Sequence, residues 1–219
     1  MVLKLAVLIS GRGTNLAAIQ HAIEAGSCAA NIELVVSDRA SAAGLAFAAE
    51  RGLRQRIVAF KSYTERAGWD QALTAAVADS DPHIVVLAGF MRVVGPAFLA
   101  RFAGKTINVH PALLPLFPGT RAPEEALAAG VRISGCTVHI VDAGVDTGPI
   151  IAQAAVPVLP EDTSDTLHER IQLAEHTLLP RVIDAIARGE IALEPRVAVR
   201  SSDARGGMLL SPPVLDGTA

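Results

Sequence analysis

The chain has 219 residues, 51% of them apolar and only 4% aromatic, with a formal charge of −3. That length buries a sizeable core without disulfide or metal staples, and a mildly acidic chain with no long Lys/Arg run excludes bulk electrostatic capture of nucleic acid. The two cysteines, Cys28 and Cys136, form no CxxC pattern and read as reduced, cytosolic thiols, and no stretch free of charge and Gly is long enough to span a bilayer.

The apolar run Leu3–Ile9 predicts a buried strand; after Lys4 it is too short for the hydrophobic region of a signal peptide. Ser10-Gly11-Arg12-Gly13 reads as a tight turn, with Thr14 placed to cap a helix that reaches about Ala25 and ends at Gly26. Strand Ile32–Val36 and helix Ala42–Arg51 follow, then a weak strand at Arg56–Ala59 and a helix over Glu65–Ala78 that Pro82 cannot continue. His83–Ala88 is a strong strand. Pro96 opens a short helix that Gly104 stops, and Thr106–Val109 is a strand running into His110-Pro111. After a Pro-rich loop to Gly119, a helix is expected over Pro123–Ala129. Cys136–Val141 and Ile150–Val158 read as paired strands joined through Gly144–Gly148. Ser164–Arg188 is a long helix that Pro180 kinks or splits.

Strand–helix alternation through Val109 predicts an α/β fold, a doubly wound, mostly parallel sheet with right-handed crossovers, and the later hairpin adds antiparallel character at one edge. Residues 1–195 are expected to form one domain. Residues 196–219 read as a poorly ordered tail. In such a sheet, ligands bind beyond the carboxyl ends of the strands. Ser10–Asn15, Gly89–Val94, Asn108–Gly119 and Asp142–Gly148 all fall at or near those ends.

Gly11 and Gly13 let backbone approach an anion at the start of a helix. The dinucleotide fingerprint needs a third Gly where Leu16 stands, and no Gly-Lys-Ser/Thr makes a Walker loop. An ordinary tight turn is the alternative, and the location at a strand end favours phosphate binding over it. Asn108 and His110 sit two apart on a strand and so share a face, where an amide and an imidazole can address one carbonyl oxygen. Asp142 and Asp146 lie in a Gly-rich turn. A carboxylate beside an imidazole favours its charged form and fixes its tautomer, while Asp142 reads as a solvated turn residue. His139 reads as a packed core histidine. His21, His168 and His176 lack metal-ligand spacing, so no metal is expected.

Taken together, Ser10–Asn15, Val86–Arg92, Ile107–Pro111, Leu113–Gly119 and Gly135 through Pro149 resemble the folate-dependent formyltransferase family, from about residue 3 to 190. The resemblance implies a cytoplasmic, Rossmann-like enzyme of purine synthesis. It would transfer the formyl group of 10-formyltetrahydrofolate to the amine of glycinamide ribonucleotide, as a monomer or homodimer, without metal, ATP, nucleic acid or membrane. It implies that Gly13, Thr14 and Asn15 hold the substrate phosphate and that Glu175 touches its glycinamide part. Arg66, Met91, Arg92, Val93, Val94 and Asn108 would contact the folate. Asn108 and His110 would stabilise the oxyanion, His110 as general acid and Asp146 as its partner. Ala112 replaces the Ser usual in the family's Ser-Leu-Leu-Pro motif. Arg121 stands where a His is often found, which affects the surroundings expected of Asp146.

A transfer-RNA formyltransferase would carry an added C-terminal domain, and a formyl-folate hydrolase an N-terminal one, for which this chain leaves no room. A nicotinamide dehydrogenase would need the third Gly and a ribose-binding acid, for which Asp38 is the sole candidate. A non-catalytic nucleotide-binding module would have no use for Asn108, His110 and Asp146 together.

Overall fold

The computed structural model describes residues 2–193 and 198–199. The elements run β1 (Leu3–Ile9), α1 (Thr14–Glu24), β2 (Ala30–Ser37), α2 (Gly44–Glu50), β3 (Gln55–Ile57), a 3-10 turn (Phe60–Ser62), α3 (Arg66–Ala78), β4 (Ile84–Leu87), α4 (Pro96–Arg101), β5 (Thr106–His110), α5 (Ala122–Ala128), β6 (Ile133–Ile140), β7 (Ile150–Pro157), α6 (Ser164–Ala187), β8 (Ile191–Ala192) and β9 (Ala198–Val199).

The first seven strands form one sheet in the order β3-β2-β1-β4-β5-β6-β7. Pairings from β3 to β5 are parallel, and β5–β6 and β6–β7 are antiparallel. β1 lies inside the sheet with helices over both faces, so its side chains are buried whichever way they point. Val7 and Ile9 enter a core with Leu16, Ile19, Leu45 and Leu179. Ala6 and Leu8 enter the other, with Trp69, Leu73 and Phe98. This two-sided burial is why the run reads as continuously apolar rather than alternating.

Strand order reverses between β1 and β4, so the loops after them meet at the topological switch point. Ser10 N donates to the Gly89 carbonyl (3.2 Å), and Met91 N donates to Ser10 Oγ (2.8 Å).

Two local expectations are corrected. Thr14 is not the cap of α1. Gly13 holds that place in the left-handed region (φ 75°), and no side chain caps the helix. The bare position suits Gly13 because a Cβ there would come within 2.7 Å of Gly44 Cα, where the loop packs on the start of α2. Pro180 does not split α6, which runs unbroken from Ser164 to Ala187 with Pro180 buried inside it.

β6 begins at Ile133, three residues before the expected strand. Residues expected to open a tail include Ala198–Val199, which pair antiparallel with Ile191–Ala192; the segment from residue 200 onward lies outside the described residues. Among the described residues no helix is long and apolar enough to cross a membrane.

Candidate active site

β5 brings Asn108 and His110 to its carboxyl end on one face, as the period of a strand requires. The antiparallel neighbour β6 sets His139 directly opposite Asn108. The turn after β6 returns Asp146 to the same place. His110 and His139 are almost wholly buried, and the Asp146 side chain is 13% exposed.

Asp146 bridges the two imidazoles. Its Oδ2 lies 3.4 Å from His110 Nδ1 and accepts from Gly119 N at 2.9 Å, and its Oδ1 lies 3.5 Å from His139 Nε2. Burial alone would raise the Asp146 carboxyl pKa. The His139 hydrogen bond, the Gly119 N–H and the positive charge available on both imidazoles outweigh burial and hold the pKa below the ordinary carboxylate value. Asp146 is therefore an anion at neutral pH.

His110 Nε2 donates to the Phe117 carbonyl at 2.8 Å. That assigns one ring proton to Nε2 and leaves Nδ1 facing the Asp146 carboxylate. His139 Nδ1 donates to the Ile140 carbonyl at 3.0 Å. A neutral His139 ring then accepts from Asn108 Nδ2 (3.2 Å) through Nε2; a protonated ring turns that nitrogen into a donor toward Asp146. Asn108 orientation, His139 charge and Asp146 form one linked set. Phe117 and Asp146 both sit at φ 55°, a conformation that costs non-glycine residues about 1–3 kcal/mol each.

Asn108, His110, His139 and Asp146 share a pocket with Met91, Arg92, Val93, Val94, Asp142, Val145 and His168. Met91 and Val93 are exposed apolar side chains, suited to cover a flat, largely apolar ligand. Arg92 lays its guanidinium over Phe60, 4.3 Å from the ring centre, and its Nε bonds Asp38 Oδ2 at 3.0 Å. Asp38 is thus the counter-ion of Arg92 and Arg39. Arg66, the first residue of α3, donates to the Val93 carbonyl and braces the Met91–Val94 stretch.

A second group forms where α6 passes the start of α1. Asn15 Nδ2 donates to Glu175 Oε2 at 2.9 Å, joining residues 160 apart in the chain. Burial pushes the Glu175 carboxyl up to about 7 against the lowering effect of that bond. Asn15 Oδ1 is buried without a hydrogen-bond partner among the described residues. Gly13 and Thr14 adjoin it at the uncapped helix start.

The formyl transferase family model matches residues 3–183. The chain belongs to the formyl transferase family. It is 47% identical over 195 residues to phosphoribosylglycinamide formyltransferase of Mycobacterium tuberculosis, covering 89% of this chain and 90% of that one. It is 43% identical over 190 residues to the human trifunctional purine biosynthetic protein adenosine-3, covering 87% of this chain but 19% of that protein. Among solved structures, glycinamide ribonucleotide transformylase 1 of Symbiobacterium toebii superposes with a TM-score of 0.87 at 43% identity, over 90% of this chain and 94% of that one. Formyl transferases use a formyl folate as co-substrate, and the chain is accordingly an enzyme of the transferase class.

Of the expected residues, Arg66 lies outside the pocket lining and meets it through the Val93 carbonyl, and the rest fall into the pocket group or the Asn15–Glu175 group. Arg121 stands apart, its side chain 71% exposed and 3.9 Å from Glu125 on the same helix. The place beside Asp146 is taken by His139. Sequence reading assigned His139 to the core, and only the antiparallel register of β6 against β5 marks it as a neighbour of Asn108. Ala112 is fully buried, and its carbonyl accepts from Thr137 Oγ1 at 2.7 Å. Among the described residues no group of three or more His, Cys, Asp or Glu is arranged to hold a metal ion.

Proposed function

We propose that this formyl transferase catalyses the transfer of the formyl group of 10-formyltetrahydrofolate to the amine of glycinamide ribonucleotide, in the cytoplasm and as a step of purine biosynthesis. The observation that carries the mechanism is the Asp146 carboxylate set between two buried imidazoles beside Asn108, in a pocket that also holds the Met91–Val94 stretch.

The folate lies against Met91, Arg92, Val93 and Val94, with Arg66 bracing that stretch. The nucleotide phosphate rests on Gly13, Thr14 and Asn15 at the open start of α1, where free N–H groups and the helix dipole favour an anion. Glu175 receives the glycinamide portion. The neutral amine attacks the formyl carbon, and Asn108 and His110 donate to the oxyanion that forms. As the oxyanion collapses and the bond from the formyl carbon to the folate nitrogen breaks, His110 delivers a proton to that nitrogen, and the proton released by the attacking amine restores His110, whose charge Asp146 supports. Holding both substrates side by side supplies the orientation term. The scheme needs no covalent enzyme intermediate, no ATP and no metal.

An absorbance assay with 10-formyl folate and glycinamide ribonucleotide tests this reading, run with and without EDTA. The expected result is turnover that requires both substrates and survives the chelator. Formate release without the nucleotide would mark a hydrolase instead, and folded protein without turnover on both substrates would overturn the proposal.

A further inference from the structure

Asp38 follows the end of β2 and does not line the pocket, yet its side chain is wholly buried and is met by three donors. Arg92 Nε lies 3.0 Å from Oδ2, Arg39 Nε lies 3.2 Å from Oδ1, and the Ser10 hydroxyl donates to the same carboxylate. Burial alone would raise the Asp38 carboxyl pKa. The hydrogen bonds from Arg39, Ser10 and Arg92 outweigh burial and hold it below the ordinary carboxylate value. The charge of Arg92 is thereby matched inside the protein.

Three consecutive residues of the pocket wall are held through this group. The Phe90 ring stacks on Trp69, with centroids 6.3 Å apart and planes inclined by 11°. Met91 N donates to Ser10 Oγ at 2.8 Å. Arg92 lies over the Phe60 ring, which meets Trp69 edge to face at 5.1 Å. Phe60 N donates to the Asp38 carbonyl at 3.0 Å. One residue thus fixes both partners of the cation–π contact, the guanidinium by its side chain and the ring by its backbone. A closed circuit runs from Asp38 through Arg92 and Phe60 back to Asp38, and through Trp69 it reaches Phe90. Residues 90–94 join β4 to α4, and the backbone that presents the exposed side chains of Met91 and Val93 is pinned by this circuit.

We infer that Asp38 is a positioning residue for the folate co-substrate: it holds Arg92 on Phe60 and Ser10 under Met91, so that the wall of residues 90–94 has its ligand-binding shape before a ligand arrives. The inference rests on the proposed placing of the folate on that wall and adds to it a buried residue that sets the affinity from behind. A segment that must order itself on binding weakens binding by the entropy it loses, and one ordered in advance does not. Arg92 acts in this arrangement as a strut, its Nε and its charge committed to Asp38, while Met91 and Val93 offer the apolar surface that a flat ligand covers.

The test compares the full wild-type chain with Asp38→Ala and Asp38→Asn. In calorimetry, Kd for tetrahydrofolate is expected to rise roughly 10- to 100-fold in Asp38→Ala, the worth of a charge-assisted hydrogen bond, and less in Asp38→Asn, which keeps the side-chain volume and one acceptor oxygen. KM for the formyl folate follows Kd, while kcat and KM for glycinamide ribonucleotide stay within about twofold. Asp38→Ala added to Arg92→Leu should cost much less than it does alone, since the two residues act through one contact. Trp69, the one tryptophan of the chain, reports on the wall without ligand: acrylamide should quench its fluorescence more strongly in either variant. Should Asp38→Ala fail to fold, Asp38→Asn carries every arm. Unchanged Kd and quenching in Asp38→Asn, or an equal rise in KM for both substrates, would overturn the inference. Protein that binds tetrahydrofolate through Asp38 yet transfers no formyl group to glycinamide ribonucleotide would remove the proposed function and keep this inference. Full turnover with equal Kd in all three proteins would remove the inference alone, and wild type that fails to bind tetrahydrofolate would remove both.

Discussion

Asp70 and Asp146 are the same chemical group placed in opposite kinds of company. Asp70, 3% exposed, accepts from three backbone N–H groups at the start of α4: Gly95 (2.7 Å), Ala97 (2.9 Å) and Phe98 (3.4 Å). Its donors are fixed by the helix, and they neither titrate nor turn. Asp146 accepts one backbone N–H and otherwise faces two imidazoles, each of which can gain or lose a proton. It also sits on a strained backbone. The contrast separates a carboxylate that ends a helix from one that, in the proposed mechanism, stores charge for chemistry. A buried acid whose partners are backbone donors reads as architecture; one whose partners titrate reads as function.

Replacing Asp146 by Asn should give the largest effect on activity. The side chain keeps its shape and loses the charge that faces His110 and His139. kcat is expected to fall roughly 10²–10⁴-fold, the usual worth of a positioned proton donor, with small changes in KM because the loss falls in the transition state. The urea midpoint should move little. Near-normal kcat would make Asp146 a second Asp70.

Asp70→Ala should do the reverse. It leaves three N–H groups short of their acceptor, two of them on buried residues, and each such group costs about 1–3 kcal/mol. A stability loss of about 3–5 kcal/mol is expected in urea unfolding, with kcat per folded molecule close to wild type. A kcat loss as deep as that of Asp146→Asn, in protein still fully folded, would break the comparison.

How these two acids were legible in the sequence differs for a physical reason. Asp146 stands in a Gly-rich turn after a strand, and the pairing of Asn108 with His110 called for a nearby carboxylate. Asp70 lies mid-helix, and its partners are 25 to 28 residues away, so nothing local announces it. The same holds for His139, which a single strand cannot distinguish from a core residue until its register against β5 is known. The sheet and its helices were readable because burial on both faces imposes apolar runs and Gly/Pro stops. Thr14 misled because its type suits a cap, whereas the close approach of Gly44 gives that position to Gly13. Of the two outcomes expected at Pro180, a kink or a split, the split does not occur: twenty-four residues of α6 run through it.

Glu175 lies between the two aspartates in kind: deeply buried, with one amide donor and, among the described residues, no cation paired to it. Its carboxyl is pushed up from 4.5 to about 7 by burial. A folded pKa above the unfolded one means that the native state binds the proton more tightly. The associated stability is full below about pH 4.5, declines as pH rises through that window, and is gone above about pH 7. The decline amounts to about 3 kcal/mol at most, from the shift in pKa. Glu175→Gln cannot ionise, and its plot of unfolding free energy against pH should lose that fall, leaving it more stable than wild type at pH 8. Parallel plots for the two proteins would show that Glu175 is ionised and paired, as Asp146 is.

The smallest effect belongs to the start of α6, where the chain satisfies itself by the same means that α1 lacks. Thr163 Oγ1 accepts from Thr166 N at 3.3 Å, and Thr166 Oγ1 accepts from Thr163 N at 3.0 Å, a reciprocal capping box. Asp162 adds a two-pronged pair with Arg170, at 2.6 and 2.9 Å. Thr163→Ala deletes one cap acceptor, a change that costs about 1 kcal/mol in most helices and should lower Tm by about 2–4 °C in a chain of this size. Yet α6 also carries Gln172 and Glu175, and the proposed mechanism gives Glu175 the glycinamide portion of the substrate. If capping is purely architectural, as Asp70 is, nucleotide KM and kcat stay at wild-type values while Tm falls. A rise in nucleotide KM without a fall in Tm would mean that fraying at Thr163 reaches the turn of helix holding Gln172, and that α6 does not divide cleanly into a capped end and a poised middle.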